Sequence, residues 1–99
     1  MADREFLEVD PTNLHLPGGR RDGADLSKLQ RQVSRFGRSI AGMPPLEVSR
    51  GSDDAFMIND GVTRATRAAR YSPGTPITVE VIDELGVPVA ELPTIGDVI

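Results

Sequence analysis

Asn59-Asp60-Gly61-Val62-Thr63-Arg64-Ala65-Thr66-Arg67-Ala68-Ala69-Arg70 is the stretch on which the fold turns. It follows the apolar run Ala55-Phe56-Met57-Ile58, which reads as a strand, and it opens a helix predicted from about Gly61 to Tyr71. Asp60 is suited to cap that helix, and Gly61 removes a side chain where the backbone turns in. At about 100° per residue, Val62, Ala65, Ala68 and Ala69 share one narrow face, and the alanines allow tight packing on a sheet. Thr63, Arg64, Arg67 and Arg70 cover the opposite, solvent-facing side. The first turn leaves N–H groups without partners, and with the helix dipole these form an anion site. Thr63 adds a hydroxyl and Arg64 a guanidinium at the same end, so Asp60, Gly61, Thr63, Arg64 and Arg67 are the candidate phosphate-contacting residues. The competing reading of the same residues is an ordinary solvated basic face.

Upstream, Phe6-Leu7-Glu8-Val9 reads as a short strand ended by Asp10-Pro11, and residues 12–24 read as a loop. Asp25 caps a predicted helix from Leu26 to Phe36, with Gly37 near its end. Leu26, Leu29, Val33 and Phe36 recur at helical spacing on one face, while Lys28, Arg31, Arg35 and Arg38 fall on the other. Pro44-Pro45 introduces the strand Leu46-Glu47-Val48, and the turn Gly51-Ser52-Asp53-Asp54 joins it to Ala55–Ile58 as a hairpin. Downstream, Ser72-Pro73-Gly74 ends the second helix, and Ile77-Thr78-Val79-Glu80-Val81-Ile82 is the clearest strand of the chain. Together these elements predict one α+β domain over residues 1–84, a small mixed β-sheet with two or three helices. Residues 85–99 form an apolar, Gly- and Pro-punctuated extension. Its Leu92, Ile95, Val98 and Ile99 are expected to dock on the domain or on a partner.

Fifteen acidic against eleven basic residues leave a net charge of −4, which argues against non-specific DNA binding by the domain as a whole. The charge is unevenly spread. Residues 1–19 carry one base against four acids, residues 20–70 ten bases against six acids, and residues 71–99 five acids and no base. Nine of the ten central bases are arginine, whose planar fork suits two-point binding of phosphate or carboxylate, and Lys28 is the exception. The alternative is that these arginines pair with the acidic ends.

The chain has no cysteine, which excludes disulfides, thiol catalysis and Cys-based zinc sites. No apolar run reaches the roughly 18 residues of a membrane span, and the polar start Met1-Ala2-Asp3-Arg4-Glu5 does not read as a secretory signal, so the expected location is cytoplasmic. His15, the only histidine, lies between Leu14 and Leu16 and reads as structural. Asp53-Asp54 read as turn residues. Ser34, Ser39 and Ser49 lack a paired base, and neither catalytic residues nor a standing metal site are assigned.

The string Gly61-Val62-Thr63-Arg64, followed by Ala68-Ala69, Gly74 and Pro76-Ile77-Thr78-Val79-Glu80-Val81, resembles the ParB/sulfiredoxin-like fold. The upstream order, from Phe6–Val9 through the Arg20-Arg21 loop, Asp25–Gly37 and Pro45–Val48, fits as well, so the resemblance covers roughly residues 5–83. It implies phosphate-centred chemistry at a Gly-x-x-Arg box. By position, Gly61, Thr63 and Arg64 would cradle a phosphate and Arg20 or Arg21 would close over it. Sulfinic acid repair in that family requires a Cys beside a His, whereas Val62 and Thr63 stand in those places. The DNA-segregation members carry an acidic residue after the glycine, where this chain has Val62. The expectation is therefore a module that binds a nucleotide, with or without Mg²⁺, or a nucleic-acid backbone, without evident catalytic machinery. The alternative is a protein-interaction module, self-associating or partnered through its C-terminal segment, that keeps the fold but not the ligand.

Overall fold

The alternating run that begins at Ile77 becomes the centre of the sheet. In a computed structural model, described here over residues 4–20, 23–37 and 40–99, the elements are β1 (Glu5–Val9), α1 (Leu26–Phe36), β2 (Leu46–Arg50), β3 (Phe56–Asp60), α2 (Val62–Tyr71), β4 (Ile77–Glu84) and α3 (Ile95–Val98). Short 3₁₀ turns at Pro11–Asn13 and Gly18–Arg20 interrupt the long loop. The sheet order is β1-β4-β2-β3. β4 pairs antiparallel with β1, placing Leu7 opposite Val79, and parallel with β2, placing Val48 opposite Val81. β2 and β3 form the expected antiparallel hairpin. The sheet is thus mixed, and the α+β architecture matches that predicted.

One face of the sheet is buried. Leu46, Val48, Ile58, Ile77 and Val79 pack with Val62, Ala65, Ala68 and Ala69 of α2, and Ala65 and Ala68 are fully enclosed. Alanine on that stripe lets the helix lie close on the sheet, where larger side chains would hold it away. Asp25 caps α1, accepting the Lys28 N–H at 3.1 Å, and Gly37 ends it with a positive φ of 71°.

The apolar stripe of α1 is less buried than its spacing suggests. Leu29 is enclosed, but Leu26 and Phe36 are 66% and 55% exposed. The reason is the partner: α1 packs on α2 rather than on the sheet, so only the middle of its stripe is covered. That packing also corrects the expected polar face of α2, because the flank bearing Arg67 lies under α1 rather than in solvent.

His15, read as structural, and Asp53, read as a turn residue, tie the C-terminal segment down. His15 sits between Leu14 and Leu16, both fully enclosed. Its backbone bonds β3 on one side (His15 N–H to Phe56 O, 2.8 Å; Ile58 N–H to His15 O, 2.9 Å), and its Nδ1 lies 2.7 Å from Leu92 O on the other. Leu16 N–H donates to Pro93 O and Ile95 N–H to Leu14 O, so residues 14–16 join the chain end to the open edge of β3. Ile95 and Val89 are buried, while Val87 and Ile99 stay exposed.

Asp53 accepts the N–H groups of Ala90 at 2.9 Å and Val89 at 3.2 Å, binding the hairpin turn to the same segment. These bonds, the Ala90 one foremost, hold its carboxyl below the ordinary value of 3.8. A carboxylate depressed in the folded state contributes stability above its unfolded pKa and loses that contribution as pH falls through the folded value. Asp53→Asn is therefore expected to lower the melting temperature at pH 7, with the gap from the unsubstituted chain closing below about pH 3.8. A gap that stays constant down to pH 2 in a calorimetric series would show that the charge does not act there.

Candidate anion site

The site begins where β3 runs into α2. Gly61 has φ of 113°, in the left-handed region, and it is the N-cap residue, with no side chain capping the helix. Asp60, expected as the cap, is instead the last residue of β3, paired with Glu47. Strand geometry turns its side chain outward, 72% exposed, where Oδ2 lies 3.5 Å from Arg64 Nη2. The first backbone N–H groups of α2 are thus left without a capping side chain, and the helix dipole adds positive potential at the same point. The first bond that closes the helix is Ala65 N–H to Gly61 O, 2.8 Å.

A cavity of about 210 Å³ opens at this end, lined by Asn59 to Arg64 together with Pro17 from the loop and Lys28 and Gln32 from α1. Asp60, Gly61, Thr63 and Arg64 are therefore brought together. Arg64 is largely buried and held in place, its Nη1 donating to Pro44 O at 3.2 Å. Asn59 is fixed by Ser49, with Nδ2 donating to Oγ at 2.7 Å. Arg67 does not join the group. It is 3% exposed and faces a different cavity beneath α1. The expected closing residue Arg21, like the side chain of Arg20, lies outside the described residues.

Sequence reasoning missed Lys28 and Gln32 as site residues. The signal was present in the basic stripe of α1, because Lys28 and Gln32 stand one turn apart, but only helix packing shows which end of the stripe meets Gly61. A shallower cleft lined by Lys28, Arg31, Gln32, Arg35, Phe36 and Thr63 continues outward from the site.

The arginines divide into two sets. At the sheet, Arg4, just before β1, pairs with Glu80 at 2.8 Å, and Arg50 of β2 pairs with Glu5 and Glu84, one from each acidic end of the chain. On the helices, Lys28, Arg31, Arg35 and Arg70 have no ion-pair partner among the described residues, and Arg64 has only the exposed Asp60. Pairing with the acidic ends thus accounts for Arg4 and Arg50 and leaves the helical cations around the site unneutralised. Among the described residues no cluster of three metal-ligating side chains occurs, and no helix is long and apolar enough to cross a membrane.

No protein-family model matches the chain, and no curated protein matches it. Among solved structures it is similar to sulfiredoxin from Arabidopsis thaliana, with a TM-score of 0.53 and 19% sequence identity, over 84% of this chain and 88% of that one. A likeness at that identity speaks to the fold, and the chain has the ParB/sulfiredoxin-like fold.

Proposed function

We propose that this sulfiredoxin-like chain binds a phosphate-bearing ligand, a nucleotide or a nucleic-acid backbone, at the N-terminus of α2. The observation that carries the proposal is the uncapped helix start at Gly61, flanked by Thr63, Arg64 and Lys28 and continuous with a cleft of unneutralised cations. In it the Thr63 and Arg64 N–H groups hold phosphate oxygens, and Lys28 and Arg64 supply charge. The exposed Asp60 carboxylate opposes a bare anion, and an exposed ion pair of this kind is weak enough to open. Where a nucleotide arrives with Mg²⁺, Asp60 is the one carboxylate among the described residues lining the cavity that can face the metal, with phosphate and water supplying further ligands. Sulfinic acid repair is not part of the proposal, since the chain contains no cysteine.

The test is calorimetric titration with inorganic phosphate, ADP, ATP and CTP, with and without Mg²⁺. A charge-assisted hydrogen bond contributes about 1.5–3 kcal/mol, so Arg64→Ala is expected to weaken binding roughly 10- to 150-fold. Lys28→Ala, at an exposed position, should weaken it less and leave the melting temperature unchanged. No heat from any of these ligands, with the unsubstituted chain folded, would overturn the proposal in favour of a protein-interaction module.

A further inference from the structure

Beneath α1 lies a second cavity of about 210 Å³, bounded by the end of that helix, the Ala41–Pro44 loop and α2. Phe36, Met43 and Pro44 give it apolar walls, and Gln32, Arg64 and Arg67 supply its polar groups. Arg67 is the unusual member. It is 3% exposed, yet its Nε and Nη1 have no hydrogen-bond partner. Its guanidinium carbon stands 5.1 Å from the centre of the Phe36 ring, a contact that offsets only part of the cost of burying a charge. Burial, together with the neighbouring Arg64, pushes its pKa down. Gln32 Oε1 is also buried and unpaired. These are all the buried side-chain nitrogen and oxygen atoms without a partner among the described residues, and both side chains line this one cavity.

Buried polar groups are normally satisfied, and an unpaired buried cation asks for an anion. We propose that this cavity is a separate site for a small monoanionic carboxylic acid. Its carboxylate binds Arg67, and its short apolar body lies against Phe36, Met43 and Pro44. Charge selects the class. The buried Arg67 guanidinium is neutralised by a single carboxylate, and an apolar acyl or aryl body suits walls of Phe36, Met43 and Pro44, which the fully polar shell of a phosphate does not. Size selects the length, because about 210 Å³ falls below the roughly 300–1,000 Å³ of pockets that hold drug-sized ligands. With its amide turned over, Gln32 donates an N–H to the second carboxylate oxygen. The site shares Gln32 and Arg64 with the cavity at the start of α2, but its anchor is Arg67, which the phosphate proposal does not use, so Arg67 variants tell the two apart.

The probes are sodium acetate, butyrate and benzoate, titrated at pH 7 and constant ionic strength against chloride and inorganic phosphate. The readouts are the melting temperature and the methyl resonance of Met43. The expected result is a saturable Met43 shift and a rising melting temperature with butyrate or benzoate, weaker with acetate and absent with chloride. Both responses should vanish in Arg67→Met and survive, weakened, in Arg67→Lys, which keeps the charge should the methionine variant fail to fold. A Met43 resonance indifferent to every carboxylate, one that saturates equally well in Arg67→Met, or one that saturates with phosphate instead would overturn the assignment. A butyrate response with no heat from phosphate or any of the nucleotides removes the α2 N-terminal site alone, and heat from those ligands with no carboxylate response removes this one alone.

Discussion

Gly61→Ala is expected to cost about 2–4 kcal/mol of stability, because two penalties coincide at one Cβ. The φ of 113° lies where L-residues are strained, by about 1–3 kcal/mol. The added carbon would also stand 2.6 Å from Leu46 Cγ and 3.1 Å from Arg64 Nη2. Arg64 has a flexible end that can give way. Leu46 is fully buried between β4 and α2 and cannot move without disturbing the core. For a domain of this size each kcal/mol corresponds to about 4–8 °C, so a fall of roughly 8–32 °C is expected in a calorimetric melt. Urea denaturation should agree without a change in slope. A loss below about 1 kcal/mol would mean that the turn relaxes to a strain-free conformation, and the close backbone approach attributed to this glycine would go with it. The glycine thus serves the fold before any ligand, and the exposed Lys28 is the position whose variant reports on phosphate without disturbing the packing.

Removal of residues 85–99 is expected to abolish cooperative folding. The segment contributes the buried Val89 and Ile95, each comparable to the roughly 1.5–3 kcal/mol of a fully enclosed aliphatic side chain. It is also bonded to the enclosed Leu14 and Leu16, from Leu16 N–H to Pro93 O and from Ile95 N–H to Leu14 O. Two further anchors disappear with it, His15 Nδ1 to Leu92 O and the Asp53 carboxylate to Val89 and Ala90. The combined loss approaches the whole of a small domain's margin of about 5–15 kcal/mol. Circular dichroism of the shortened chain should show no sigmoidal melt, and its amide spectrum should collapse to narrow dispersion. A sharp transition within a few degrees of the full chain would make the segment an appendage. That result would restore a partner as its natural docking surface.

Much of the architecture is legible in the residues themselves. The β-branched alternation at Ile77–Ile82 marks the strand that pairs on both sides. The Asp25 cap and Gly37 stop bracket α1 at the residues observed. The alanine stripe of α2 states in advance which of its faces the sheet takes. The candidate site is legible in part. The Gly61 turn and Arg64 stand together as expected, whereas Asp60 does not cap, since the strand keeps its own geometry one residue longer than the cap would require. Arg67 was placed in solvent because helical periodicity divides apolar from polar and does not register a second helix on the polar side.

What the amino-acid order determined alone is local: where strands and helices start and stop, which face of each is apolar, and that residues 20–70, the middle of the chain, carry the positive charge. These follow from backbone preference and side-chain period, which act over a few residues. Which helix flank is covered, which cations find acids and which are left bare, and that His15 and Asp53 hold the chain end are decisions of the tertiary structure alone. They depend on groups tens of residues apart being brought within 3 to 5 Å, as with Arg67 over Phe36, Asp53 on Ala90 and His15 on Leu92, and no local period carries that information.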